Sequence, residues 1–273
     1  EVLRNVYETL VGNDASDMSK MTGLIAESWT FSDNNKTITF KLRSGQTFVS
    51  GNPLTANDVV YSFARVVKAG KSPAFLLKQL GWTAENVDGM IRAVDDLTFE
   101  MKITVDYAPS MLLNILSSTN AGIVDSKTVM ENEKDGDLGL AYLKDKSEGS
   151  GPFVLKTWKP NQMIMMQSNP NYRQGEPAMK RVILRHVPEA ASQRLLLEKG
   201  DVDIAVNLPG DQIRALESNP DLAVTRSTTA RNLYIGLGQT MEPFTKPKVR
   251  EALKYLVDYK GMTESLLKGE FTV

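Results

Sequence analysis

Leu24-Ile-Ala-Glu-Ser-Trp-Thr-Phe-Ser-Asp-Asn-Asn-Lys-Thr-Ile-Thr-Phe-Lys-Leu-Arg-Ser-Gly-Gln-Thr-Phe-Val-Ser-Gly-Asn-Pro-Leu-Thr-Ala-Asn-Asp-Val59 is the stretch on which the reading of this chain turns. From Thr37 to Arg43, the apolar Ile38, Phe40 and Leu42 alternate with Thr37, Thr39, Lys41 and Arg43. That period of two predicts a strand with one wet face. Ser32-Asp-Asn-Asn-Lys36 supplies residues that tolerate a left-handed backbone, so Trp29-Thr-Phe31 folds back as the partner strand. Ser50-Gly-Asn-Pro53 then turns the chain, and Thr55 with Asp58 forms a capping box. The helix it starts carries Val59, Val60, Phe63, Val66 and Val67 on its apolar face.

Around this segment the composition is that of an ordinary globular chain. Of 273 residues, 41% are hydrophobic and 24% charged, and the formal net charge is -1. Length permits two domains. A near-neutral balance offers no basic footprint for nucleic acid or an anionic membrane. No apolar run reaches the roughly 18 residues that a membrane-spanning helix requires. Cysteine is absent, which removes thiol catalysis, thiolate metal sites and disulfides. No basic region or cleavage site precedes Glu1, so an export signal is expected to lie outside this sequence.

In order along the chain, residues 1–11 read as an amphipathic helix ended by Gly12-Asn-Asp14, with a polar loop to Gly23. After the opening segment, Gly70-Lys-Ser-Pro73 breaks the pattern ahead of an apolar stretch from Phe75 to Leu80. A second hairpin pairs Ile91–Val94 with Thr98–Ile103 around Asp95-Asp96. Pro109 suits a first helical position, and Met111, Leu112, Ile115 and Leu116 supply a buried stripe behind it. Residues 131–148 read as surface helix and loop anchored by Tyr142 and Leu143. At Ser150-Gly-Pro-Phe-Val-Leu-Lys-Thr-Trp158 the chain returns to strand, turns at Lys159-Pro-Asn-Gln162 and runs back through Met163 to Gln167. From Arg181 the pattern becomes alternating: strand at 182–187, helix at 189–199 stopped by Gly200, strand at 202–206, helix at 209–218, then strands at 222–225 and 232–237. This predicts a βαβαβ passage.

Residues at fixed positions along the opening segment, among them Ala26, Trp29, Ser32, Phe40, Leu42, Arg43, Gly45, Phe48, Gly51, Pro53, Leu54, Thr55, Ala56, Asp58 and Val59, make a pattern that resembles the signature of the family 5 extracellular solute-binding proteins. These are the peptide/nickel-type substrate-binding components of bacterial ABC importers. Gly149-Ser-Gly-Pro-Phe153 is similar to the family's Gly-x-Gly-Pro element. Leu197-Glu-Lys-Gly-Asp-Val-Asp203 and Glu242-Pro-Phe-Thr-Lys-Pro-Lys-Val-Arg-Glu-Ala-Leu253 are similar to later family passages. Lys246 stands where aspartate is commoner, a change expected to alter only a helix cap.

The resemblance implies an α/β fold of the periplasmic binding protein-like class II, a multi-lobed clamshell incomplete in this chain. Lobe I is expected from residues 1–23 and 148–229, lobe II from a hairpin-rich insertion at 24–147, and the start of a lobe III at 230–273. Family members continue past Val273, so the chain is expected to be the N-terminal portion of something longer. The implied protein is an extracytoplasmic, periplasmic receptor. It binds a small solute between lobes, most typically an oligopeptide or dipeptide, and presents it to the membrane subunits of an ABC permease. Nickel chelates, oligosaccharides and opines stay open as ligands. A monomer is expected, with no cofactor, no metal held by side chains and no nucleic-acid partner. Three segments approach the expected cleft: Ser72–Phe75, with Phe75 as its aromatic; Ser118–Ala121, with Thr119 and Asn120; and Thr229–Asn232, where Arg231 and Asn232 meet an anionic or carbonyl group.

An enzyme is the competing class, in the form of a secreted hydrolase using paired carboxylates; a receptor for sensing rather than import is the other alternative. No nucleophile elbow accompanies the single histidine, His186, which reads as structural and mid-strand. Asp201 and Asp203 share a strand face and read as a solvated end rather than an acid/base pair. Gly236-Leu-Gly238 lacks the third glycine of a phosphate loop. Met163, Met165 and Met166 read as core filler, and Trp29 as an anchor under the first hairpin. Nothing in the sequence selects a working carboxylate pair from its 33 acids, and no catalytic residue is assigned.

Overall fold

The structure is a computed structural model that describes residues 2–14, 16–32, 34–226, 233–267 and 271. The chain divides into two compact units, Glu1–His186 and Val187–Val273.

The first unit opens with a short helix, α1 (Val2–Val6), and then a strand, β1 (Val11–Asn13), which pairs antiparallel with β2 (Met21–Gly23). The helix expected over 1–11 and the loop expected after it are thus corrected. The carbonyls of Thr9 and Leu10 accept from the N–H groups of Ile25, Leu24 and Ala26, so residues 9–11 are tied laterally to the next segment and are not free to continue a helix. Leu10 and Val11 are fully buried there.

The opening hairpin forms as its alternation predicts. β3 (Ala26–Ser32) pairs with β4 (Thr37–Leu42), and Ile38, Phe40 and Leu42 face the core. Asn34 and Asn35 take the left-handed backbone of the turn, with φ of 54° and 68°. The helix α2 (Ala56–Ala69) lies behind it, ended by Gly70 in the left-handed conformation. The chain then passes a 3-10 turn (Ser72–Ala74) and two short helices, α3 (Phe75–Lys78) and α4 (Val87–Met90). The second hairpin, β5 (Ile91–Asp95) with β6 (Thr98–Lys102), completes a four-stranded antiparallel sheet in the order β3-β4-β6-β5. Phe40 sits opposite Trp29 on one side and Phe99 on the other. Phe99 meets Phe63 of α2 edge-on at 5.6 Å, and Phe63 meets Trp82 at 5.9 Å. Contacts of this kind add about 0.5–1.5 kcal/mol each beyond the apolar area they bury. They lock helix to sheet.

Next come α5 (Pro109–Leu116), with proline in its first turn, a 3-10 turn (Thr119–Ala121) and α6 (Ser126–Glu131). Met111 was expected in the buried stripe of α5, but it is 43% exposed and Leu113 is buried in its stead. The stripe is set by the neighbours α5 packs against, and these take residues 112, 113, 115 and 116.

Buried side chains stitch α2 to residues 122–128. The Asp58 carboxylate accepts from the N–H and hydroxyl of Thr55 through one oxygen, and from the N–H and hydroxyl of Ser126 through the other. Ser62 Oγ accepts from the Val124 N–H at 3.0 Å. Asp125 accepts from Ser50, Asn52 and Thr128 side chains and from the Thr128 N–H. Ile123 and Asp125 donate their N–H groups to the carbonyls of Glu8 and Glu148. Among the described residues, the donors that reach these two carboxylates are neutral.

A separate apolar cluster of Val6, Phe153 and Met166 underlies the antiparallel sheet β7 (Phe153–Lys159), β8 (Met163–Ser168) and β9 (Arg181–Arg185). Its entry requires glycine. A Cβ on Gly149 would lie 2.0 Å from the Val6 carbonyl oxygen, closer than real contacts allow. Beside it, Glu8 and Arg173 form a largely buried ion pair at 2.8 Å, with Ser150 donating to the other Glu8 oxygen at 3.0 Å. His186 lies just past the end of β9 and is exposed, not mid-strand; its N–H donates to the Gln162 carbonyl at 2.8 Å.

In the second unit the helices are α7 (Ala190–Glu198), α8 (Gly210–Leu216), α9 (Pro247–Leu256) and the short α10 (Tyr259–Gly261), which runs into a π-helical turn (Met262–Leu266). Lys246 occupies the cap position of α9 with no side-chain cap bond. The strands expected at 202–206 and 222–225 do not form, nor do the described residues of the one expected at 232–237. Ile204 and Ile235 are each 77% exposed. An apolar alternation presents a face, but a strand needs a ladder partner, and these runs have none among the described residues.

Removing the charge that answers Glu8 should be costly: Arg173→Met is expected to lower unfolding free energy by about 3 kcal/mol, and Glu8→Gln with Arg173→Met to restore most of it, measured by urea denaturation. Burial pushes the Asp125 carboxyl up, but the hydroxyl, amide and N–H donors around it hold it below the ordinary carboxylate range. Its contribution is therefore present above the unfolded value of about 3.9 and is lost as pH falls through the lower folded value. Asp125→Asn should be less stable at neutral pH and lose less further stability on acidification, which a urea series across acidic pH will read.

Candidate functional site

The stitched segment at 122–126 forms one wall of a concavity of about 470 Å³ in the first unit, with Gly122 and Val124 on its surface. Two stretches far apart in sequence converge there. Lys71, Pro73 and Ala74 come from the break after α2, and Thr119 and Asn120 from the turn after α5. α2 contributes Arg65, Val66 and Ala69, and α1 with the residue after it contributes Leu3 and Tyr7. Leu140 and Leu143 close the remaining side. Its volume falls within the range of small-molecule sites, and its lining is mostly apolar with a few polar groups.

Fixed donors and acceptors surround the polar members. Arg65 Nε donates to the Leu138 carbonyl at 2.5 Å, which orients the guanidinium. Burial pushes the Tyr7 phenol up to about 12, a backbone hydrogen bond from Glu148 pulling the other way. Burial also raises the Glu148 carboxyl, opposed in part by the Tyr142 hydroxyl, which donates to it at 2.7 Å. Tyr142 is itself pushed upward, by burial first and by Glu148 next. Gly122 lets the wall approach Tyr7, since a Cβ there would lie 3.1 Å from the Tyr7 Cβ.

Of the residues singled out from sequence, Thr119 and Asn120 line this concavity. Phe75 is the first residue of α3, adjacent to the lining Ala74 but outside the lining, and is 57% exposed. Arg231 and Asn232 lie outside the described residues. Arg65, Lys71 and Tyr7 were missed. The spacing of Tyr61, Arg65 and Ala69, four apart, marked a second face of α2 away from the apolar stripe, and only its neighbours show that this face is lined and concave.

A smaller concavity of about 250 Å³ lies against β8 and β9, lined by Trp158, Met163, Leu184 and His186 among others. It brings together no acid, base and nucleophile. Asp201 and Asp203 are exposed. Among the described residues no group of three or more His, Cys, Asp or Glu could hold a metal ion, and no helix is long and apolar enough to cross a membrane.

The model of the bacterial extracellular solute-binding proteins, family 5 (middle region), matches residues 20–273. The chain belongs to this family. Its members are binding proteins of ABC transport, not enzymes. Over 247 residues the chain is 34% identical to the probable D,D-dipeptide-binding periplasmic protein DdpA of Escherichia coli K12, covering 90% of this chain and 46% of that protein. It is 28% identical over 272 residues to the glutathione-binding protein GsiB of the same strain, covering 99% of this chain and 50% of the relative. Among solved structures, the periplasmic binding protein DppA from Helicobacter pylori in complex with the peptide STSA superposes with a TM-score of 0.79 at 22% identity, over 98% of this chain and 53% of that one. The fold is accordingly the class II periplasmic-binding-protein-like α/β fold. The chain spans about half the length of the curated relatives it matches.

Proposed function

We propose that this family 5 protein is the extracytoplasmic substrate-binding component of an ABC importer, which takes a small solute, an oligopeptide or dipeptide, and delivers it unchanged to the membrane subunits of a permease. The observation that carries the reading is the meeting of the 71–74 and 119–122 stretches on one concavity of about 470 Å³, in a chain with no catalytic constellation at that place. The relatives' names for D,D-dipeptide and glutathione binding support a peptide class.

In this reading the concavity is one jaw of the site. Thr119 and Asn120 supply hydroxyl and amide groups to a peptide backbone, and the exposed Phe75 ring packs on the ligand from the rim. Arg231 and Asn232 join from the later part of the chain. Lobe I comprises 1–23 and 148–229, lobe II 24–147, and lobe III begins at 230. The separate apolar clusters of the first unit support the division between the hairpin sheet and the β7–β9 sheet. Closure of lobes about the ligand follows from the ligand's greater affinity for the closed state, since equal affinity for both would shift nothing. The protein acts in the periplasm as a monomer, with neither cofactor nor nucleic acid.

Phe75→Ala and Asn120→Ala in the full-length protein should each weaken binding of a co-purified or titrated peptide about five- to tenfold, with melting temperature unchanged, because neither side chain is buried in the core. Native mass spectrometry identifies the co-purified solute, and calorimetry measures the loss. Unaltered affinity in both variants sinks the assignment of the jaw, and absence of peptide uptake defects in cells lacking the protein sinks the importer role.

A further inference from the structure

We infer that Asp135 is a site of spontaneous modification, where the main chain rearranges to isoaspartate at the tip of the segment that leads into the wall of the larger concavity. Asp135-Gly136 is one of two Asp-Gly pairs in the sequence, the other being Asp88-Gly89. Such pairs are reactive because glycine places no Cβ beside the ring that the aspartate side chain closes on the next backbone nitrogen. Reaction also needs a free carboxyl and a backbone nitrogen that no hydrogen bond holds. Both pairs are exposed, so exposure does not separate them. Bonding does.

Asp88 is ion-paired with Lys68 at 2.7 Å, and the Gly89 N–H in α4 donates to the Asn86 carbonyl at 2.9 Å. Ring closure there requires both contacts to break first. Asp135 and Gly136 instead occupy the two central positions of a turn, with φ of 51° and 73°, closed by the Asp137 N–H on the Lys134 carbonyl at 2.9 Å. No described residue bonds to the Asp135 carboxylate or accepts from the Gly136 N–H. A Cβ on Gly136 would meet nothing within 4 Å, so the space around the reacting atoms is open.

The reaction is an isomerisation that consumes nothing. The Gly136 nitrogen attacks Asp135 Cγ, a C–N bond forms, and the carboxyl hydroxyl leaves with the nitrogen's proton as water, closing a succinimide ring. One water then adds back. Cleavage of the new C–N bond restores aspartate, whereas cleavage of the original peptide bond leaves isoaspartate, with an extra methylene in the main chain. That insertion lengthens the turn between Lys134 and Asp137. One Asp137 oxygen accepts from the N–H groups of Lys134 and Gly139, and the other from that of Ala141 at 2.8 Å. The turn is thereby bonded to the backbone that carries Leu140 and Leu143 into the lining. Between them, the Leu138 carbonyl is the acceptor that holds Arg65. Isomerisation at Asp135 therefore loosens the wall from its tip.

Ageing the full-length protein at physiological temperature and mildly acidic pH tests this, with isoaspartate mapped by digestion and fragmentation mass spectrometry and the guanidinium-unfolded protein as reference. In the folded protein Asp135 should convert about tenfold faster than Asp88, the factor expected where a hydrogen bond must open before reaction. In the unfolded chain the two should convert at similar rates. Asp135→Glu should abolish conversion at that position, because the longer side chain closes its ring far more slowly. The Gly139 and Ala141 amides of the converted protein should exchange hydrogen about tenfold faster than those of fresh protein, while aged Asp135→Glu keeps the fresh rate. Equal conversion at Asp88 and Asp135 in the folded protein, or none at Asp135 where the unfolded chain has converted, overturns the site. Conversion with unchanged exchange at both amides overturns the loosening of the wall.

Discussion

The Asp58 carboxylate holds together the part of the molecule that matters most. Buried at the start of α2, it satisfies the first turn of that helix through Thr55 and reaches across to Ser126 through its other oxygen. A buried carboxylate met only by neutral donors is stable when every lone pair it turns inward finds a partner. Here each does, and the consequence is positional. Residues 122–126 are set against α2, so residues of the helix and of the turn at Thr119–Ala121 line one concavity.

Apolar packing decides where that helix can lie in the first place. Phe63 on α2 touches Phe99 and Trp82, and Phe99 touches Phe40, so helix and sheet share one aromatic seam. The polar stitch then chooses the register along the seam. Packing alone is tolerant of small slides, whereas hydrogen bonds to a buried carboxylate are not. On the other side, the Glu8–Arg173 pair and the close approach of Gly149 to Val6 tie the end of α1 and the residues after it to the segments that flank the β7–β9 strands, by the same combination of tight contact and directed bonding. Tyr7, between the two, lines the concavity.

Much of this was legible in the residues. The alternation of Ile38, Phe40 and Leu42, the paired asparagines of the turn and the Thr55–Asp58 box each encode a local structure, and each formed where expected. Thr119 and Asn120, singled out through family resemblance, line the concavity of the first unit. What failed was decided by tertiary partners, gained or lacking. Residues 1–11 have a helical period but give up their last carbonyls to the segment at 24–26, and the apolar runs at 202–206 and 222–225 have the composition of strands without a ladder partner. Met111 is a further case, apolar and on a helix, yet turned outward because its neighbours cover a different arc.

By itself, the sequence determined the family, the two hairpins, the capped helix behind them and the absence of thiol chemistry, because each depends on residues close together in the chain or on composition. Only the tertiary structure decided that Arg65, Lys71 and Tyr7 face the same opening as Thr119 and Asn120. Those residues are separated by long stretches of chain. Their meeting depends on how α2 is seated on the sheet and how 122–126 is bonded to it, a matter of packing and buried hydrogen bonds that no local pattern records.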